Sequence, residues 1–237
     1  MRRISILFFG VLLAGTMVWS CKKSSSDDNY VIYKVPVDMA ARYIAMTFSN
    51  ATDGLNYHLE NAARIAATYP ASFDTSFTGQ QADTSKPVTF QYTIEYHYLV
   101  TKNAGSTNTF SFSSSGSFQS AYIRSNDAQH GAIQVTGLDQ PELTFNGTGQ
   151  AGGSEVAQTG TVPFSCSINF TLNNLMMNKL THMADTGSMA VGITGLGPGG
   201  VDFGYTGTMT FGKSRRAVLQ LGSTTFTVDL ATGGFIP

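Results

Sequence analysis

Alternation of apolar and polar residues dominates the chain after its first third. The most regular segment runs from 88 to 100, where valine, isoleucine, phenylalanine and tyrosine occupy every second position. A period of two places successive side chains on opposite faces of a β-strand. The same period recurs over 110–122, 162–172, 189–193, 201–211, 217–221 and 226–230, with shorter strands expected at 133–135 and 143–145. The pattern predicts many strands, each with one apolar and one polar face.

The period is different between 36 and 69. Apolar residues there recur every three or four positions on both sides of a polar break at 50–54, and Pro70 ends the second run. This spacing predicts two helices, because a proline cannot continue a helix and a polar break suits a turn with a new N-cap. The second helix has an alanine-rich face that allows close approach to a sheet. Residues 70–86 show neither period, so they are predicted to be irregular.

The predicted strands are joined by short, glycine-rich or polar segments, which favours antiparallel neighbours. A sheet this wide must curl or fold over to cover its apolar side. The sequence therefore predicts an α+β domain over 35–237. Its main element is one large, strongly curved antiparallel sheet, a partial barrel, with the helical hairpin packed on the concave apolar face. A two-sheet β-sandwich is the alternative.

The first twenty residues are organised as a secretory signal. Met1-Arg2-Arg3 is positively charged, the apolar run 4–18 is short for a membrane span, and the small residue Ser20 precedes Cys21. The segment Val18-Trp19-Ser20-Cys21 resembles the lipobox of bacterial lipoproteins. That resemblance implies cleavage before Cys21 and acyl chains, including palmitate, on its sulfur and new amine. We expect a signal peptide at 1–20 and a lipidated polar tether at 21–34.

Lipidation would attach the protein to a bilayer without a membrane-spanning segment, since two or three acyl chains on one residue anchor firmly. The Ser26-Asp27-Asp28 segment in the tether resembles the acidic export signal of surface lipoproteins in the Bacteroidota. The resemblance implies an outer-membrane location with exposure at the cell surface. A plain solvated spacer is the other interpretation, and it leaves the periplasmic face open.

Composition narrows the possible partners. The net charge is −1 and only 12% of residues are charged, so the chain offers no field for nucleic acid. Lys213-Ser214-Arg215-Arg216, a rare basic run, is predicted to be a hairpin turn. If Cys21 carries lipid, Cys166 is unpaired, and its place in an apolar alternation predicts a buried packing residue.

Few residues suggest chemistry. Glu95 and His97 lie two apart on a predicted strand, hence on one polar face, and a carboxylate beside an imidazole is the core of a general base. A solvated sheet face explains the same pair. The segment 147–152 matches G-x-G-x-x-G, but no helix follows it, so a flexible loop is predicted rather than a dinucleotide site. Zinc-type spacing and calcium loops are not found, and no metal or cofactor is expected.

The stretch 175–183 fits a helix and a strand about equally well. Its methionines Met176, Met177 and Met183 are candidates for contact with an apolar ligand, because methionine adapts to such surfaces. Core filling is the more usual role of methionine and is the preferred interpretation.

Two functions follow from these observations. The first is an outer-membrane-anchored lipoprotein whose β domain is a non-enzymatic binding or structural module, in one variant a carrier of an apolar ligand. Its partners would be the bilayer, through acylated Cys21, and an unidentified protein or small molecule. The alternative is a surface hydrolase of glycans or peptides that uses sheet-face carboxylates and His97. These observations leave open whether the protein is an enzyme, and they favour the non-enzymatic function.

Overall fold

A computed structural model of the chain describes residues 34–68, 73–84, 87–100, 108–158 and 162–237. The predicted signal peptide and the tether up to residue 33 lie outside these residues. The described chain begins with helix α1 (Val37–Phe48), a short 3₁₀ turn at Asn50–Thr52 and helix α2 (Leu55–Thr68). The predicted helical hairpin is therefore confirmed.

Eleven strands follow and form one sheet in which each strand pairs antiparallel with the next in sequence. They are β1 (Phe73–Asp83), β2 (Thr89–Val100), β3 (Asn108–Gln119), β4 (Ile123–Thr136), β5 (Glu142–Ala157), β6 (Val162–Asn178), β7 (Ala184–Leu196), β8 (Asp202–Gly212), β9 (Arg216–Leu221), β10 (Thr224–Asp229) and β11 (Gly234–Ile236). The sheet does not close, because β1 and β11 do not pair with each other. The α+β fold class is confirmed, with a single sheet rather than a two-sheet sandwich.

The helical hairpin packs on the inner, apolar face of the sheet. Tyr57 on α2 accepts a hydrogen bond from Gln81 on β1 at 2.7 Å, and Arg42 on α1 lies 4.6 Å from the ring of Phe235 on β11. A flat sheet of eleven strands is about 48 Å wide, whereas helices of this length span about 20 Å. The two helices reach both edges only because the sheet curves around them.

The helices are buried on most of their faces. Tyr43, Ile44 and Phe48 on α1 and Leu59 on α2 have no more than 1% of their surface exposed. The turn between the helices needs a glycine at position 54, because a Cβ there would lie 2.1 Å from the carbonyl oxygen of Thr47. That close approach lets α2 start directly after α1 and fold back beside it.

Residues 70–86 were predicted to be irregular, and this is wrong, because β1 occupies 73–83 and pairs with β2 over its whole length. The strand lacks alternation because it lies at the edge of the sheet, where both of its faces meet water. Phe77, on the inner face, is 41% exposed. Pairing with the strongly patterned β2, rather than hydrophobic burial, fixes its conformation.

The predicted flexible loop at 147–152 is also wrong, since these residues lie in the middle of β5. Glycine serves packing here: a Cβ on Gly149 would lie 2.3 Å from the ring of Phe170 on the neighbouring strand. The stretch 175–183 continues β6 as far as Asn178 and then turns, and the basic run at Lys213 forms the predicted turn between β8 and β9.

Candidate functional site

A cluster of polar side chains is buried between α1 and the sheet. Asp127 on β4 is its centre and accepts hydrogen bonds from the hydroxyls of Tyr92 at 2.6 Å, Ser125 at 2.9 Å and Tyr43 at 3.3 Å. Tyr43 comes from α1, Tyr92 from β2 and Ser125 from β4 itself. The cluster thus joins the helix to two strands of the sheet through one carboxylate.

A second carboxyl group lies beside the first. Glu155 on β5 is 1% exposed, and its Oε2 accepts a hydrogen bond from the thiol of Cys166 on β6 at 3.6 Å. Its other oxygen, Oε1, has no hydrogen-bond partner among the described residues. Cys166 is itself buried, as its apolar alternation predicts.

The strand register explains how polar side chains fit into the core at this place. Asp127 is opposite Gly116 on one side and Gly153 on the other, and each glycine is also opposite a further cluster residue, Tyr92 and Cys166 respectively. Polar side chains and glycines therefore alternate across five strands. A Cβ on Gly116 would lie 2.8 Å from the ring of Tyr92, so this glycine leaves room for the phenol.

Burial controls the ionisation of the cluster. Desolvation raises the pKa of Glu155 to about 8, with the nearby charge of Asp127 acting in the same direction. Desolvation also raises the pKa of Asp127, although the hydroxyls that bind it oppose this. The pKa of the Cys166 thiol is raised by burial and by Glu155, so this thiol stays protonated and is a poor nucleophile. The raised pKa keeps Glu155 protonated near neutral pH, and the hydrogen bond of Tyr43 to Asp127 connects α1 to the cluster.

His58 on α2 is a second buried titratable group. Its ring is fully buried and stacks on Phe112 of β3 with centroids 4.3 Å apart. Neither ring nitrogen has a hydrogen-bond partner among the described residues. Desolvation lowers the pKa of His58 to about 3, so the imidazole is neutral in the folded protein.

The predicted pair Glu95 and His97 lies on the outer, solvated face of β2, beside an open depression of about 310 Å³. The carboxylate partner of His97 is Asp74 on β1, whose Oδ1 is 2.6 Å from Nε2. The side chains of His97 and Asp74 are 48% and 68% exposed. Ser76 and Ser111 lie directly opposite His97 in the strand register.

The three candidate methionines do not share one surface. Met177 on β6 is fully buried in the core, whereas Met176 on the same strand faces the other side and is partly exposed. Met183 follows the turn after β6 and is also partly exposed, and the tip of that turn carries Leu180 at 91% exposure. The lipidation candidate Cys21 lies outside the described residues.

A salt bridge between Arg215 and Glu60, here called the clasp, connects the hairpin to the turn between β8 and β9. Arg215, in the turn between β8 and β9, donates two hydrogen bonds to Glu60 on α2 at 2.8 and 2.9 Å. Asn50 and Asn56 donate to the same carboxylate. The turn is strained, because Ser214 and Arg215 have φ of 61° and 57°, a region that non-glycine residues adopt at a cost.

Sequence reasoning missed the buried cluster, although β4 carried a signal for it. Ser125, Asp127 and Gln129 are in phase with the apolar residues Ile123 and Ile133, and the burial of β4 alternates without interruption. Extending the period of two through this polar segment places its carboxylate in the core. Glu155 gave no comparable signal, because glycines and small residues surround it.

No three or more of the described His, Cys, Asp and Glu side chains are grouped so that they could hold a metal ion. Neither helix in the described ranges has the length and apolar character needed to cross a membrane. No family model, curated protein or solved structure matches the chain.

Proposed function

We propose that the protein is a lipoprotein anchored at the outer membrane through acylated Cys21, and that its β domain is a non-enzymatic binding or structural module. The observation that carries this proposal is the occupied inner face of the sheet. An open, curved sheet can bind a ligand or substrate on its concave inner face, and here the chain's own helical hairpin occupies that face.

The energetics favour a permanent hairpin over a ligand-carrying cradle. Tyr43, Ile44, Phe48 and Leu59 are fully buried against the sheet. Burying each such side chain contributes about 1.5–3 kcal/mol, so these four together oppose opening by roughly 6–12 kcal/mol. Carriage of an apolar ligand on the inner face would have to displace them. The module is therefore preferred to the carrier.

The surface left for partners is the outer face of the sheet. Its exposed positions on β3 and β4 are mostly serine, threonine, asparagine and glutamine, and an open depression of about 450 Å³ lies over β2 to β5 at one end. A broad, weakly charged polar face of this kind suits contact with another macromolecule at the cell surface more than enclosure of a small substrate.

The attachment of the tether to the body supports anchoring. The hydroxyl of Tyr205 on β8 donates to the carbonyl oxygen of Val35 at 2.6 Å, and the ammonium of Lys34 lies 5.5 Å from the same ring. The start of the body is thereby fixed to the sheet. Cys21 precedes Lys34 by 13 residues, and a fully extended chain of that length reaches at most about 45 Å. Lipidation at Cys21 would hold the body close to the bilayer.

The test grows cells that express the full chain on labelled palmitate, with Cys21→Ser as the comparison. We expect label in the wild-type protein and none in the variant, and protease treatment of intact cells is expected to degrade the wild type. Unlabelled wild-type protein released into the medium would refute the anchor. Native mass spectrometry of the wild type is expected to find no apolar ligand beyond the acyl chains on Cys21.

The second candidate is the hydrolase, favoured by the pairing of Asp74 with His97 next to Ser76 and Ser111. A carboxylate, an imidazole and a serine are the parts of an acyl-transfer site. Here they lie on an open face, where water screens their interactions. A serine-directed fluorophosphonate probe distinguishes the two functions: labelling that disappears in His97→Gln supports the hydrolase, and absence of labelling supports the module.

A further inference from the structure

The two edge strands of the sheet differ in length and in how they are covered. At one end β11 has only three residues, and Arg42 of α1 lies over its Phe235. At the other end β1 has eleven residues, all paired with β2 on one side. No strand in the described ranges pairs with the other side of β1. Among the described residues, the alternate backbone N–H and C=O groups along this side have no partner strand.

Proteins usually block such an edge with lysine, proline, a bulge or a very short strand. None of these is present between Asp74 and Ala82: the segment has no lysine, arginine or proline, and its register with β2 is continuous. An unblocked edge of this length is suited to receive a further strand.

The middle of β1 also carries an exposed aromatic ring. Phe77 is 41% exposed, stacks on Tyr96 of β2 with centroids 5.1 Å apart, and lies over Gly79 of its own strand. The ring thus covers the backbone on the inner face at the centre of the open edge. A partner strand here would shield it from water.

We propose that a second copy of this chain binds the β1 edge, by antiparallel pairing of β1 with its own copy about a two-fold axis at Thr78. Thr78 is the midpoint of Phe73–Asp83, so this register pairs all eleven residues. It places Phe77 of each copy opposite Gly79 of the other, and Asp74 opposite Ala82. Each ring, lying over its own glycine, then packs beside the phenylalanine of the partner, and Asp74 faces no like charge.

Neighbouring registers fit less well. Centring the pair on Phe77 or on Gly79 shortens the ladder from eleven residues to nine, because two residues overhang on each copy. Centring on Gly79 also places Phe77 opposite the polar Gln81. The register at Thr78 gives the longest ladder and places the two Phe77 rings diagonally across the contact, within reach of each other. Its two-fold axis is perpendicular to the sheet, so both helical hairpins lie on the same side of one continuous sheet.

The first test measures the mass of the full chain in detergent by sedimentation equilibrium. The edge variant is Ser76→Lys/Thr78→Lys/Gln80→Lys, which puts three pairs of like charges across the proposed contact. Its matched control is Thr109→Lys/Ser115→Lys/Ser117→Lys, with the same added charge on exposed positions of β3. We expect a dimeric wild type, a dimeric control and at least about tenfold weaker dimerisation of the edge variant, since like charges directly opposite destabilise pairing.

The second test traps the register and does not depend on the stability of the charged variant. Directly opposed residues have Cα atoms about 4.5–5.5 Å apart, which suits a disulfide. Under mild oxidation Thr78→Cys is expected to form a covalent dimer, whereas Asp74→Cys, which faces Ala82, is not. If the wild type is monomeric, the proposal is overturned, and the strand that pairs with the β1 edge would then be an extended segment of another protein. Unchanged dimerisation of the edge variant, or cross-linking at 74 instead of 78, also overturns it.

Discussion

Replacing Glu155 with glutamine is expected to change how the stability of the protein depends on pH. Glu155 is buried on β5 and faces Tyr43 on α1, Asp127 on β4 and Cys166 on β6. Desolvation raises its pKa from 4.5 to about 8, so the folded protein holds a proton that the unfolded chain has lost at neutral pH. Glutamine has the shape of the protonated acid and cannot ionise.

The size of the effect follows from proton linkage. Between pH 4.5 and 8 the folded state binds more protons at Glu155 than the unfolded state, so the free energy of unfolding falls as pH rises. The slope is about 1.4 kcal/mol per pH unit, which amounts to about 2 kcal/mol between pH 6.0 and 7.5. For a domain of this size, that difference corresponds to a melting temperature change of about 4–8 °C. Asp127 contributes with the same sign, because its pKa is also raised by burial.

The measurement is urea unfolding of the wild type and of Glu155→Gln at half-unit steps from pH 5 to 9. We expect the stability of the variant relative to the wild type to increase steadily over this range up to pH 8 and then to level off. Glu95→Gln, an exposed glutamate on β2, serves as the control and should follow the wild type. Equal slopes for the wild type and Glu155→Gln between pH 6 and 8 would show that the carboxyl is hydrated or already ionised in the folded state.

Two further predictions concern the hairpin and its clasp. Burial lowers the pKa of His58 to about 3, so the folded protein loses stability at this residue as pH falls from 6.5 towards 3. His58→Leu is expected to remove this loss. Urea unfolding at pH 4 and pH 7 checks the prediction, and an unchanged dependence of stability on pH in this range contradicts it. Ser214→Gly is expected to raise the free energy of unfolding by about 0.5–1 kcal/mol, since glycine accepts φ of 61° without the cost of a Cβ. Ser223→Gly, in a turn where the serine has no positive φ, should not stabilise the protein; equal effects at both positions would argue against strain at Ser214.

Most of the architecture could be predicted from the sequence because the local signals agree with the tertiary structure. In β2 and β6 the period of two shows which face of the strand is buried. In α1 and α2 the helical period does the same for the helix. The short connections report antiparallel neighbours. These signals are local, and a meander uses only local connections, so the order of the strands along the chain is also their order in the sheet.

The remaining features depend on contacts that no single segment records. β1 is a strand because β2 pairs with it, and its own residues hardly alternate. Gly149 looks like part of a loop until Phe170 on the next strand is placed over it. The alternation of β4 places Asp127 in the core, but its proximity to Glu155 on β5 and Tyr43 on α1 is visible only when the three elements are assembled. The members of this cluster are ordinary polar residues in the sequence, and burial alone gives them unusual chemistry.

The contacts between the helical hairpin and the last strands have a consequence for the order in which the protein folds. The amide of Asn50 bonds to the carbonyl oxygen of Leu230 at 2.7 Å, and Glu60 receives Arg215, so the earliest helices are held by the latest strands. A meander grows by adding each strand to the one before it, whereas contacts across such long sequence separations close slowly. The hairpin can contact β1 to β4 early, but its docking is completed only when Arg215 and Leu230 are in place, and until then part of the apolar face of the sheet is exposed to water. Loss of a few C-terminal residues is expected to disturb the start of the chain as much as its end.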